Sequence, residues 1–223
     1  MNIVVMKFGG TSVADVAKIK NIANTVIKQQ KDSKVVVVLS AMAGVTNNLQ
    51  SYIDEIDCEP SKDTDLVMTS GEQVTVGLLS MVLNKEGIKS VPMLGWQVPI
   101  ITDDNYSNAK ILNIDSKNIL KLFLENDVIV LAGFQGINTK SIITSLGRGG
   151  SDTTAVAIAS AIDADRCDIY TDVDGVYTTD PNLEPKAKKI NKVAYEEMLE
   201  MSSMGAKVLQ SRSVELAMKN NLP

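Results

Sequence analysis

Histidine is absent from the 223-residue chain. That absence excludes Ser-His-Asp and Cys-His hydrolases, His-ligated zinc and iron sites, HExxH proteases and the HRD loop of protein kinases. Any catalysis must run on Asp, Glu, Lys, Arg, Ser, Thr, Tyr or backbone groups. Cysteine is scarce: Cys58 and Cys167 are the only two, and they form no CxxC pair. So few thiols point to a reduced, cytoplasmic compartment and to structural cysteines rather than a disulfide. Aromatic residues make up 4% of the chain, and the single tryptophan, Trp96, reads as a packing anchor. Long hydrophobic runs are missing: Val35–Leu39 and Val128–Ala132 fall far short of the roughly 20 residues that span a bilayer. The N-terminal run meets Lys7 and two glycines too soon for a signal peptide. Positive charge is not in excess either. The 22 basic and 27 acidic residues give a net charge of −5, which argues against a general nucleic-acid binder but leaves room for a local phosphate pocket. The expectation is a soluble cytoplasmic protein with no membrane or nucleic-acid partner.

What is present is an ordinary globular composition, 44% hydrophobic and 22% charged. At this length folding buries roughly 70% of the unfolded chain's surface, so no disulfide or metal staple is needed. Short β-branched runs alternate with helical stretches, the pattern of an α/β protein. Ile3–Phe8, Val35–Leu39, Val128–Ala132 and Arg166–Thr171 read as strands, and the second and third are continuous apolar runs that suit a parallel sheet. Ser90–Leu94 and Val98–Thr102 read as further strands, and Ile142–Ser145 as extended. Apolar residues at helical spacing predict helices over Val13–Lys28, Asp65–Leu83, Asp115–Glu125, Thr153–Ile162, Tyr195–Ser202 and Ala206–Asn220, with another beginning near Thr46. No low-complexity linker or tandem repeat appears. The economical reading is one three-layer αβα domain over residues 1–223.

Three segments carry the chemistry. Lys7-Phe8-Gly9-Gly10-Thr11-Ser12 joins the first strand to the first helix. Paired glycines admit a ligand close to the backbone, a helix start favours an anion, and Lys7 can reach the same anion. A plain junction with a snorkelling lysine fits that pattern equally well. Gly147-Arg148-Gly149-Gly150-Ser151-Asp152 precedes another helix. Its glycines cost folding entropy that packing alone does not explain. Asp152 stands where a dinucleotide fingerprint needs its last glycine, and no GxxxxGK[ST] segment exists. Tyr170 through Pro181 combines turns with hydroxyls and carboxylates but lacks EF-hand spacing, so it reads otherwise as a polar surface hairpin. Lesser signals are Ser40-Ala41-Met42, Ser70-Gly71-Glu72 and Gly205-Ala206-Lys207. Gly71, in an otherwise helical stretch, hints at a close approach by another group. Lys207 near a helix start opposes the macrodipole unless an anion sits there. Met198, Met201 and Met204 read as a core or interface stripe, and Lys186 through Lys189 as a solvated face.

Together these segments, in order and across nearly the whole chain, resemble the aspartate kinases of the amino-acid kinase family. The KFGGTS start and the GRGGSD loop separate this branch from its carbamate, acetylglutamate and uridylate kinase relatives. The resemblance implies a three-layer αβα sandwich around an eight-stranded, mostly parallel sheet. It implies transfer of the ATP γ-phosphoryl to the side-chain carboxylate of L-aspartate, with Mg²⁺, opening the pathway to lysine, threonine and methionine. Lys7 and Lys207 take the roles of cations stabilising the transferring phosphoryl, and Asp152 that of the carboxylate orienting them. Lys7, Phe8, Gly9, Gly10, Ser40, Ser151, Thr171, Asp172, Tyr177, Thr178, Thr179, Asp180 and Lys207 match the ATP site. Ser40, Thr46, Glu72, Arg148, Gly149, Gly150 and Ser151 match the aspartate site, with Arg148 on the α-carboxylate and Glu72 on the α-ammonium. No protein metal ligand is assigned. The family usually continues into a pair of ACT regulatory domains, and the full-length form is expected to be a homodimer; here the sequence stops at Pro223 without that region. Two other readings stand beside this one: a related kinase acting on glutamate or N-acetylglutamate, and a non-catalytic nucleotide-binding module.

Overall fold

The computed structural model describes residues 2–205 and 208–223. Nine strands and eight helices occur in it. In chain order they are β1 (Ile3–Phe8), α1 (Val16–Gln30), β2 (Lys34–Leu39), α2 (Val45–Ile56), α3 (Lys62–Met68), α4 (Gly71–Lys85), β3 (Ser90–Met93), β4 (Ile100–Thr102), β5 (Ile111–Ile114), α5 (Ser116–Leu122), β6 (Val128–Ala132), β7 (Gln135–Ile137), β8 (Ile143–Ser145), α6 (Gly150–Ala161), β9 (Arg166–Tyr170), α7 (Tyr195–Ser203) and α8 (Ser211–Lys219).

Five strands form one parallel sheet in the order β3-β6-β2-β1-β9. Its central strands are buried on both faces, and that requirement is why their sequences are continuous apolar runs rather than alternating ones. Val4, Met6, Val35 and Val37 face Ile19, Ile22 and Val26 of α1 and Val76, Leu79 and Leu83 of α4. Val5, Val36, Val38 and Ile129 face Ile119 of α5 and Ala155, Ile158 and Ala159 of α6. The sheet is therefore the middle layer of a three-layer αβα sandwich, as expected from the alternation of elements.

The strand arrangement differs from the expected single eight-stranded sheet. Among the described residues a second sheet of four strands, β5-β4-β7-β8, stands apart from the first and contains both antiparallel and parallel pairs. The division follows from the turn after β6. Phe134 adopts a left-handed backbone with φ 69° and carries the chain out of the parallel sheet into β7. The expected helix over Asp65–Leu83 is likewise two helices, interrupted at Thr69 and Ser70. By length and composition alone Lys62–Lys85 would cross a membrane. In the fold its second half instead packs Val76, Leu79 and Leu83 against the sheet. The last helix is shorter than predicted, because Val208–Gln210 are not helical. Trp96 is exposed rather than an anchor. Met198 is buried, but Met204 is among the most exposed hydrophobic side chains, so the methionine stripe is core at one end only. Both cysteines are free, and burial pushes the Cys167 thiol up to about 12, which leaves it unreactive.

Truncating a side chain in this core should be costly. Leu79→Ala removes a fully buried residue and is expected to lower stability by roughly 2–5 kcal/mol. Leu112→Ala, at an exposed position on β5, should change it by less than about 0.5 kcal/mol. Urea denaturation of the two variants checks the contrast.

Candidate active site

The carboxyl ends of β1, β2, β6 and β9 lie along one edge of the parallel sheet, the side where open α/β sheets bind ligands. Lys7 is the penultimate residue of β1. Its Nζ lies 2.6 Å from Oδ1 of Asp152, and both side chains are about nine-tenths buried. Asp152 sits in the first turn of α6. Its carboxylate therefore occupies the positive end of that helix as well as the lysine's field. The first strand and the sixth helix, 145 residues apart in sequence, are fixed together by that contact.

Glycines shape the surroundings of this pair by close approach. A Cβ on Gly10 would lie 3.0 Å from the Ala41 carbonyl oxygen. One on Gly133, just beyond β6, would lie 2.8 Å from the Ser151 side chain. One on Gly71 would lie 2.7 Å from the Ala41 Cβ, the close approach that a glycine in a helical stretch implies. Gly149 opens α6 with φ 71°, a conformation that favours glycine. Gly9 lies beside Lys7 Nζ and the Tyr170 carbonyl, and Phe8 stacks on Tyr170 with ring centroids 4.5 Å apart. The end of β1 thereby meets the start of the Thr171–Asp180 loop.

Glu72 lies in the first turn of α4 and is 3% exposed. Its Oε1 accepts the Ala41 N–H at 3.1 Å, while Oε2 has no partner among the described residues. Burial pushes its carboxyl up to about 7, against the opposing pull of its backbone hydrogen bonds. Thr75, one turn on, donates to the Ser40 carbonyl at 2.9 Å. Ser40 in turn donates its N–H to Phe8 at 3.2 Å. Glu72, Ala41, Ser40 and the Gly10 turn are thus one packed group beside the Lys7–Asp152 pair.

The remaining candidates are placed less tightly. Thr46 lies in the first turn of α2. Arg148 is exposed on the loop between β8 and α6, and Gly150 and Ser151 are buried at the start of α6. Thr171, Asp172, Thr178, Thr179 and Asp180 are exposed on the loop after β9. Within that loop the Thr171 hydroxyl donates to Asp172 at 3.1 Å and the Tyr177 hydroxyl to Asp174 at 3.1 Å. Lys207 lies outside the described residues, so the expected pairing of two lysines stands on Lys7 alone. Sequence reasoning missed Asp65, a fully buried carboxylate on α3. Nothing local marks it, because its partners are 42 and 80 residues away.

Comparison with known proteins places this geometry in context. The sequence profile of the amino acid kinase family matches residues 2–223. The aspartate kinase of Pseudomonas putida is 50% identical over 225 residues, covering 100% of this chain and 55% of that protein. The aspartokinase of Geobacillus stearothermophilus is 48% identical, with the same coverage. The chain spans about half the length of the curated relatives it matches. Among solved structures, Escherichia coli aspartokinase III in complex with aspartate and ADP superposes with a TM-score of 0.85 at 29% identity, covering 99% of this chain and 60% of that one. The aspartate kinase from Synechocystis gives 0.83 at 41% identity, over 99% and 37%. Uridylate kinase from Archaeoglobus fulgidus, at 20% identity and a TM-score of 0.72, shares the fold.

The buried Glu72 makes stability depend on pH in a definite direction. Its folded pKa of about 7 lies above the ordinary value of 4.5. Between those values the unfolded state has released the proton that the folded state still holds, so this group's contribution falls as pH rises from 4.5 through 7. Glu72→Gln removes that term. The variant's stability relative to the parent should rise by on the order of 3 kcal/mol from below pH 4.5 to above pH 7. Denaturant titrations across that range measure the gap, and a constant gap would contradict the assignment.

Proposed function

The chain belongs to the amino acid kinase family, and we propose that it is the catalytic domain of an aspartate kinase, transferring the ATP γ-phosphoryl to the side-chain carboxylate of L-aspartate. The observation that carries this reading is the Lys7–Asp152 ion pair at the carboxyl edge of the sheet, flanked by glycine turns and by the buried Glu72. The aspartate and ADP bound in the Escherichia coli relative support the choice of substrates.

The chemistry asks little of a proton acceptor. The attacking group is a carboxylate with a reference pKa of about 3.9, ionised at neutral pH. One of its oxygens attacks the γ-phosphorus in line, the bond to the β,γ-bridging oxygen breaks, and ADP leaves with that electron pair. No proton is taken from the nucleophile, so a chain without histidine can perform the step. The protein's task is alignment and positive charge around the transferring group. Lys7 would place its ammonium on the phosphoryl oxygens, with Asp152 holding it in position, and Lys207 would supply the second cation. Backbone N–H groups of Gly9 and Gly10 and of the start of α6 would add donors, Ser151 lying between the two substrates.

Arg148 would take the α-carboxylate with its guanidinium fork, on a loop formed by Gly149 and Gly150. Glu72 would take the α-ammonium through its unpartnered Oε2, with Ser40 and Thr46 on the adjoining loop. Phe8, Thr171, Asp172 and Tyr177 through Asp180 would hold the nucleotide. Among the described residues no group of three His, Cys, Asp or Glu side chains could hold a metal ion by itself. A Mg²⁺ ion would then take at most one protein carboxylate, for which Asp152 is the candidate. When bound, the ion would neutralise phosphate charge. The domain reading extends over residues 1–223, and the full-length cytoplasmic protein would act as a homodimer.

The test is ADP formation in a coupled assay. It should depend on L-aspartate and be poor with N-acetylglutamate, whose blocked nitrogen cannot pair with Glu72. Preference for the acetylated acid would overturn the substrate assignment. Lys7→Ala should lower aspartate turnover by at least ~100-fold, the scale of losing one group that stabilises transition-state charge. Turnover within a few-fold of the parent would refute its role.

A further inference from the structure

Asp65 is fully buried, and its carboxylate gathers donors from two distant segments. Oδ2 accepts the Ser145 N–H at 2.7 Å and Oδ1 the Ser145 hydroxyl at 2.8 Å. The Ser107 N–H lies 2.9 Å from Oδ1 and 3.1 Å from Oδ2, with the Ser107 hydroxyl 3.3 Å from Oδ1. A buried carboxylate costs a great deal unless it is satisfied in this way.

What these donors hold is informative. Ser145 ends β8 and stands three residues before Arg148. Ser107 has φ 63°, a left-handed backbone that a non-glycine residue seldom adopts, and Asp65 receives the N–H of that strained turn. The turn then presses on the loop that follows Ser145. A Cβ on Gly147 would lie 2.8 Å from the Ser107 carbonyl oxygen, and the Ala109 N–H donates to the Ser145 carbonyl at 2.9 Å. Arg212 braces the same two segments from another side, donating to the Leu146 carbonyl at 2.9 Å and to Asn108 Oδ1 at 2.7 Å.

The other end of the tie is the helix that carries Asp65. Its backbone carbonyl accepts the Thr69 N–H and hydroxyl. The Thr69 carbonyl accepts from Gln135 of β7 at 3.0 Å. Thr69 stands three residues before Glu72. One carboxylate therefore joins the helix junction that presents Glu72 to the loop that presents Arg148.

We propose that Asp65 is a positioning residue for the amino-acid substrate, setting the placement of the Arg148 loop relative to Glu72 through Ser145 and Ser107. The inference rests on the aspartate-kinase reading for its substrate. It touches no reacting atom, and it predicts a loss confined to one substrate. In Asp65→Asn the amide keeps one acceptor oxygen and turns an NH₂ toward the backbone N–H groups, so Ser145 or Ser107 is left unpaired.

The test measures steady-state kinetics for the parent, Asp65→Asn, Arg148→Ala and the double variant, together with amide hydrogen exchange of residues 145–150. Asp65→Asn should raise the KM for L-aspartate at least ~10-fold, the cost of one buried charged hydrogen bond, with the KM for ATP within about 2-fold. In the Arg148→Ala background the same change should add little, because Asp65 acts through that loop. Exchange at 145–150 should quicken while the β6 amides stay protected. Ser145→Ala, which removes only the hydroxyl contact, covers the case in which Asp65→Asn does not fold, and should move aspartate KM and exchange in the same direction to a smaller extent. Equal losses for both substrates, full additivity with Arg148→Ala, or unaltered exchange in 145–150 would overturn the inference. A parent with no aspartate-dependent turnover would instead refute the substrate reading. The exchange result then decides whether Asp65 orders the loop.

Discussion

A lysine ammonium and a carboxylate 2.6 Å apart, each about nine-tenths buried, are the constraint around which the rest of this molecule is arranged. Burying such a pair brings little net stability, since desolvation offsets most of the attraction. Its position, by contrast, is demanding. β1 must lie in the sheet's interior, α6 must begin at the carboxyl edge, and the chain must bend sharply at both places. The continuous valine runs satisfy the first demand. The glycines at 9, 10, 149 and 150 satisfy the others, three of them where a side chain would meet backbone or neighbouring residues at 3.0 Å or less.

The same requirement for close approach accounts for features that look unrelated. Gly133 lets β6 end against Ser151, and Gly71 lets α4 begin against Ala41. α3 and α4 are separate helices, and the break at Thr69 and Ser70 puts Glu72 at the second position of α4. Its carboxylate then lies in the first turn of α4, where the helix dipole favours it, yet burial still drives its pKa up to about 7. Such a group is poised to ionise when a cation arrives, which suits an α-ammonium ligand.

The parts of this architecture legible in the sequence were those written in local pattern. β1, β2, β6 and β9 were readable because strands buried on both faces cannot hide their composition, and the glycine-rich junction at 147–152 because packing alone gives no reason for it. β5 and β7 were not readable. Gln135-Gly136-Ile137 is three residues long, polar at its start, and becomes a strand only through partners across the second sheet. Asp65 was illegible for a related reason: an acid in a short helix looks solvated until Ser107 and Ser145 are brought to it by tertiary structure. The single-helix reading of 65–83 failed because apolar periodicity continues through Thr69 and Ser70 while the backbone does not. The roles of Arg148 and of the loop at 171–180 came from resemblance, because most of their side chains are exposed and local pattern gives an exposed polar residue no particular role.

The central claim is that the Lys7–Asp152 pair faces the phosphoryl group in transit. Its most direct test is a crystal structure of the chain with a non-hydrolysable ATP analogue and L-aspartate. The account predicts Lys7 Nζ within about 3 Å of a γ-phosphate oxygen, with Asp152 still beside it and the aspartate side-chain carboxylate aimed at the phosphorus. A nucleotide whose phosphates lie elsewhere, with Lys7 and Asp152 paired and remote from both ligands, would contradict it.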